Sequence, residues 1–197
     1  MSSRLVPTTA KRVFDAPFKI GVISDTHIYA GSKREIAPGV KRLFHRAGID
    51  LIVHLGDANT RSVLEDVAEI APLIAVTGNN DEDELQYTLP QTTRFTVGGK
   101  IFAAIHGHGG RSARDVAIER WAGKADCVLF GHSHLPLIER VQGTLLVNPG
   151  SPTDRRWHPH FGIAVITVDS SGIHPELMLF DDPNHLDSIR FDQEGQI

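Results

Sequence analysis

Asp25 and His27 stand one residue apart directly after the apolar run FKIGVIS, and the same sequence of events recurs four more times along the chain. DLIVHL leads into Gly56-Asp57, PLIAVT into Gly78-Asn79-Asn80-Asp81, KIFAAI into His106-Gly107-His108, and CVLF into Gly131-His132-Ser133-His134. Pooled, Asp25, His27, Asp57, Asn79, His106, His132 and His134 are two carboxylates, one amide and four imidazoles. Oxygen and nitrogen donors without sulfur suit Mn²⁺, Fe or Zn²⁺ better than an all-oxygen Ca²⁺ or Mg²⁺ cage and leave the metal's identity open; two divalent ions are expected, with Mn²⁺ taken first and Fe, Zn²⁺ or Ni²⁺ compatible. If one carboxylate is shared between two ions, seven donors give each ion four protein ligands and leave positions for water and substrate. Asp-x-His and His-x-His, read as extended strand ends, are expected to aim both side chains of each pair the same way. Each cluster alone has an ordinary explanation: a helix cap at Asp25, turns at Gly56-Asp57 and Gly78-Asn79, loop histidines at His106 and His108. Their joint occurrence, always at the end of an apolar run, is what favours a metal site.

The elements that must position these residues are legible from the runs between them. Continuous apolar runs of this length suggest strands covered on both faces. Segments 35–48, 59–71 and 111–123 carry apolar residues at three- and four-residue spacing and are expected to be amphipathic helices, with Gly48 and Gly123 at their C-terminal ends. Strand, polar cluster, helix, strand is the rhythm of an α/β protein, in which the carboxyl ends of the strands line the ligand crevice. After residue 136 come short strand-like segments, LIER, TLLVN, FGIAVITVD and GIHPELMLF, expected to form a second, more antiparallel sheet packed against the first. Residues 18–180 are read as one domain, with tails at 1–17 and 181–197.

Composition sets the outer limits. With 197 residues, 41% hydrophobic and 22% charged, the chain is long enough for one sizeable core. A net charge of -4, with no basic run interleaved with aromatics, gives no reason to expect nucleic acid as a partner. No apolar stretch approaches the ~18 residues of a membrane span. Residues 1–17 lack the apolar core of a signal peptide. Cys127, the single cysteine, excludes disulfide frameworks and Cys-rich zinc sites and is expected in the core, which fits a cytoplasmic address. His54, inside LIVHL, is expected to be a hydrogen-bonded core histidine, and His45 a surface one.

Taken in order, Asp25-x-His27, Gly56-Asp57, Gly78-Asn79-x-Asp81, His106-Gly107-His108 and Gly131-His132-Ser133-His134 resemble the motif set of the calcineurin-like metallophosphoesterases. Asn148-Pro149-Gly150-Ser151 narrows the resemblance to the small single-domain bacterial and archaeal phosphodiesterases, a branch that also includes retromer-type scaffold proteins. The resemblance implies a two-sheet mixed β sandwich flanked by helices. It implies one metal on Asp25, His27, Asp57 and His134 and a second on Asp57, Asn79, His106 and His132, with Asp57 as the bridge. The activity it implies is attack on a small phosphate ester by hydroxide held on the metal pair. It also implies self-association as a dimer or tetramer.

Where many relatives have a histidine after the motif asparagine, this chain has Asn80, which cannot act as a general acid at neutral pH. The narrower branch often has Cys there. His108 is the candidate for that role or for a phosphate contact, and Asp81 is expected to orient a neighbour rather than bind metal. Asn148 to Ser151, with Arg155 and Arg156, either approach substrate phosphate or, through Pro149, Gly150 and Pro152, shape a loop. Trp157, His158 and His160 fit an oligomer contact or a site rim equally well. The alternative function is a protein-interaction scaffold with weak or no catalysis. Retention of all seven ligand positions argues for the enzyme.

Overall fold

The computed structural model describes residues 12–186. In chain order the elements are β1 (Val13–Phe14), β2 (Phe18–Ile23), α1 (Pro38–Ala47), β3 (Leu51–His54), α2 (Arg61–Ala68), β4 (Leu73–Ala75), α3 (Asp83–Thr88), β5 (Thr92–Val97), β6 (Lys100–Ile105), α4 (Ala113–Trp121), β7 (Cys127–Phe130), β8 (Leu137–Val141), β9 (Thr144–Asn148), β10 (Phe161–Asp169) and β11 (Gly172–Phe180). They form a five-stranded sheet of order β11-β10-β2-β3-β4 and a six-stranded sheet of order β1-β5-β6-β7-β9-β8. Both sheets are mixed, because β2-β3-β4 and β6-β7-β9 run parallel while hairpins add the antiparallel strands.

Side-chain alternation along the strands divides the apolar residues among three layers. Ile20 and Val22 of β2, Leu51 and Val53 of β3, Phe102 and Ala104 of β6 and Cys127 and Leu129 of β7 fill the space between the sheets. Ile23, Ile52, Leu73, Ile163 and Val165 face the other way, onto Val40, Leu43 and Phe44 of α1 and Val63, Leu64 and Val67 of α2. Ala103, Val128 and Leu146 meet Ala113 and Ala117 of α4 on the far face. Burial of each such Leu, Ile or Phe stabilises the fold by about 1.5–3 kcal/mol. Helix α1 begins at Pro38 and ends at Gly48, whose φ of 66° is the left-handed turn that closes a helix.

Two expectations about topology need correction. The five strands that end in candidate ligand residues do not share one sheet: β2, β3 and β4 lie in the five-stranded sheet, β6 and β7 in the six-stranded one. The late segments do not form a sheet of their own either, since β8 and β9 extend the larger sheet and β10 and β11 the smaller. The cause is β5, a strand the apolar-run criterion passes over because its buried residues alternate with polar ones (TTRFTV). It forms a hairpin with β6 through Gly98-Gly99 and so opens a second sheet halfway along the chain.

At the N-terminal side, β1 pairs in parallel with β5, so ordered structure begins before residue 18. At the other end, Leu186 is buried and its carbonyl accepts from Arg46, which pins residues 181–186 against α1. The rest of both expected tails lies outside the described residues. Among the described residues no helix is long and apolar enough to cross a membrane.

Candidate metal centre

Backbone bonds between strand tips bring the motif residues together. Leu55 N donates to Ile23 O, Asp25 N to Gly56 O, His27 N to Asp57 O and Gly131 N to His106 O. The two sheets are joined at the same edge, where His132 N donates to Asp25 Oδ2 at 2.9 Å. Asp25, His27, Asp57, His132 and His134 all lie past the ends of their strands with φ between 46° and 66°. The extended geometry expected for Asp-x-His and His-x-His is therefore wrong. These residues occupy the left-handed region that non-glycine side chains seldom enter, a strain characteristic of functional sites. Asp25 and His27 still converge, but His132 and His134 part company into different groups.

The side chains form two groups. Asp25, His27 and His134 offer ligand atoms within 4.8 Å of one another, and so do Asp57, His106 and His132. Asp57 Oδ2 lies between them, 3.6 Å from His27 Nε2 and 3.3 Å from His106 Nε2. Close approach of backbone makes this possible: a Cβ on Gly78 would stand 2.1 Å from Asp57 Oδ1, and one on Gly131 2.0 Å from Ser24 Oγ. A side chain at either place would force its neighbours to shift.

Histidine orientation is set from behind. His106 Nδ1 donates to Leu55 O at 2.7 Å and His134 Nδ1 to Asp154 O, so in each ring Nε2 is the nitrogen turned into the site. Asp25 Oδ1 and His106 Nε2 are buried without a hydrogen-bond partner, and His27 Nε2 and His134 Nε2 face each other at 3.2 Å. Orphaned buried donors and acceptors of this kind are costly. A cation in each group would satisfy them together, so the residues present fit divalent metal binding.

Electrostatics follow burial and neighbours. Burial pushes the Asp25 carboxyl up to about 7, against the opposing influence of His106 and Ser24. Burial also acts on Asp57, but His106 and two bonds from Asn80 outweigh it and hold this carboxyl well below the usual range. Burial lowers His27 and His132, and takes His134 down to about 4. Neutral imidazoles are the form that binds metal.

Other sequence-level candidates occupy varied places. Asn79 is exposed at the turn after β4, whereas Asn80 bonds to Asp57 through its backbone N at 2.8 Å and its Nδ2 at 2.7 Å. Sequence reasoning missed that contact, treating Asn80 only as a lost acid. Asp81 orients its neighbours, accepting from Asn59 N and Gly78 N, each at 2.7 Å. His108 is half-buried, its ring 5.5 Å from that of His106 and 6.3 Å from that of His132. His54 is buried beside Thr26 Oγ1 and the Gly56 N–H. The Asn148–Ser151 loop supports the site: Asn148 holds Gly131 O, and Ser151 Oγ donates to Asp25 O at 2.8 Å.

Comparison with known proteins agrees with this geometry. The calcineurin-like phosphoesterase superfamily domain matches residues 18–171, and the chain belongs to that superfamily. A probable metallophosphoesterase of Methanocaldococcus jannaschii is 35% identical over 137 residues, covering 68% of each chain. A second protein of that organism, named a phosphodiesterase, is 27% identical over 144 residues, 67% of this chain and 82% of its own. Vacuolar Protein Sorting 29 of Cryptosporidium parvum shares the fold at a TM-score of 0.65 and 16% identity, over 84% of this chain and 98% of its own. Family membership places the chemistry of this site among metal-dependent phosphoesterases.

Proposed function

We propose that the chain is a dinuclear phosphodiesterase acting on small phosphate esters, with one ion held by Asp25, His27, Asp57 and His134 and the other by Asp57, Asn79, His106 and His132. The observation that carries this reading is the position of Asp57 Oδ2 between the two groups. Mn²⁺ is the ion to test first, and mixed oxygen and imidazole donors are equally compatible with Fe, Zn²⁺ or Ni²⁺. When bound, two such cations supply Lewis acidity, clamping phosphoryl oxygens and acidifying water for in-line displacement. Asn80 holds Asp57 in its ionised, bridging form. In this reading His108 donates an N–H to the ester; burial and His106 keep its pKa below the ordinary value, so near neutrality it carries one ring proton. With Asn80 unable to give up a proton, substrates with acidic leaving groups are favoured, and diesters with such groups are the natural class. The name of the 27%-identical relative supports the same choice. A cytoplasmic address and a dimer or tetramer complete the reading.

The scaffold alternative rests on fold likeness to Vacuolar Protein Sorting 29. One experiment separates the two: elemental analysis of purified protein, then hydrolysis of bis(p-nitrophenyl) phosphate with Mn²⁺ added, before and after chelation. The enzyme reading expects two ions per chain and turnover that chelation abolishes. Undiminished turnover by metal-free protein overturns it, and metal-loaded protein without turnover favours the scaffold.

A further inference from the structure

The two neighbouring arginines of the 151–156 loop have different fates. The loop is fastened to the strand tips: Thr153 Oγ1 donates to Thr26 O at 2.6 Å, Asp154 N to Ser151 Oγ at 2.9 Å, and Asp154 O receives His134 Nδ1. Arg155 turns away from the site, its guanidinium 5.3 Å from the Phe161 ring and bonded to Pro159 O. Arg34, a further cation near this loop, reaches His27 O and pairs with Asp154 at 3.7 Å. Arg156 is exposed and, among the described residues, has neither ion pair nor hydrogen bond. Its φ is 48°, the left-handed region otherwise occupied here mainly by metal-site residues. Its positive charge is felt at His27, His132 and His134.

A lone guanidinium on strained backbone beside a site built for cations gains nothing from that site itself. It becomes favourable when an anion arrives, because the planar fork matches phosphoryl oxygens. We propose that Arg156 binds a non-bridging oxygen of the substrate's phosphoryl group and so sets the site's affinity for phosphate. This deepens the phosphoesterase reading and rests on it.

The test titrates inorganic phosphate into Mn²⁺-loaded protein by calorimetry, with metal content measured on every sample. Arg156→Ala and Arg156→Met are expected to weaken phosphate binding roughly tenfold or more, the scale of a lost charged hydrogen bond, at unchanged metal content. Arg155→Ala, the control, is expected to bind as wild type does. Arg156→Gly relieves the backbone strain, so it is expected to raise Tm while losing phosphate affinity. A merely structural arginine would not give that pair of results. Wild-type binding that persists in the Arg156 variants overturns the inference and leaves the phosphoesterase reading standing. Failure of the wild type to bind phosphate or metal overturns both.

Discussion

Asp57 is the residue on which both proposed metal sites would depend, because its Oδ2 faces His27 in one group and His106 in the other. Asp57→Asn removes the charge with little change in shape. It is expected to lower metal content by at least one ion per chain and turnover by at least about 100-fold, measured by elemental analysis and diester hydrolysis. Asn80→Ala removes only the amide bond to Asp57, since the backbone N–H at 2.8 Å survives. Its cost is therefore expected to be smaller, roughly tenfold in metal affinity, as read by Mn²⁺ titration. Equal loss in the two variants would mean that Asn80 does more than hold the carboxylate. Gly131→Ala has a steric cause instead, a Cβ 2.0 Å from Ser24 Oγ. Forcing these apart should destabilise the protein by about 1–3 kcal/mol and displace Asp25, which accepts from that serine at 2.5 Å.

Strands supply the precision those side chains need, because the tips are extensions of packed ladders rather than free loops. Phe102 shows the dependence: on β6, three residues before Ile105 and the His106 turn, it is fully buried between the sheets and stacked on Phe95 at 5.1 Å. Phe102→Ala is expected to cost about 3–5 kcal/mol, measured by urea unfolding, while the folded fraction keeps its metal stoichiometry. The strands that carry the candidate ligands were legible in the sequence because burial on both faces makes each a continuous apolar run. Burial on one face only made α1 and α2 legible in a different way, from the three- and four-residue spacing of Val40, Leu43, Phe44, Val63, Leu64 and Val67. Strand β5 was hidden by its alternation with polar residues, and with it the division into two sheets. Identity of the ligand-type residues could be read one by one. Their left-handed backbone could not, because φ past a strand end is dictated by bonds such as His27 N to Asp57 O, between residues far apart in the chain. Asn80 escaped for a similar reason: its contact with Asp57 depends on how the β4 turn folds over β3.

The molecule as a whole concentrates its buried titratable groups at one edge, so stability without metal should depend on pH through them. His54 and His134 are held near 4 by burial, against 6.5 for a free imidazole. Each is neutral in the fold, and between those values the unfolded chain binds more protons; stability from both is lost as pH falls through that window. Asp25 acts in the opposite sense. Its carboxyl is raised from 3.8 to about 7, so the folded form keeps a proton that the unfolded chain gives up, and that stabilisation disappears as pH rises across the same range. Two imidazoles oppose one carboxyl, so chelated protein is expected to be more stable at about pH 6.5 than at about pH 4.5. His54→Gln keeps a polar group in the Thr26 pocket without the titration, and should flatten the slope of denaturant midpoint against pH. Adding Mn²⁺ near neutrality should then raise the midpoint in proportion to the logarithm of free metal, as binding to the folded state alone requires. Protein whose midpoint ignores Mn²⁺ at every pH would show that the two groups of ligands do not hold ions, whatever their spacing.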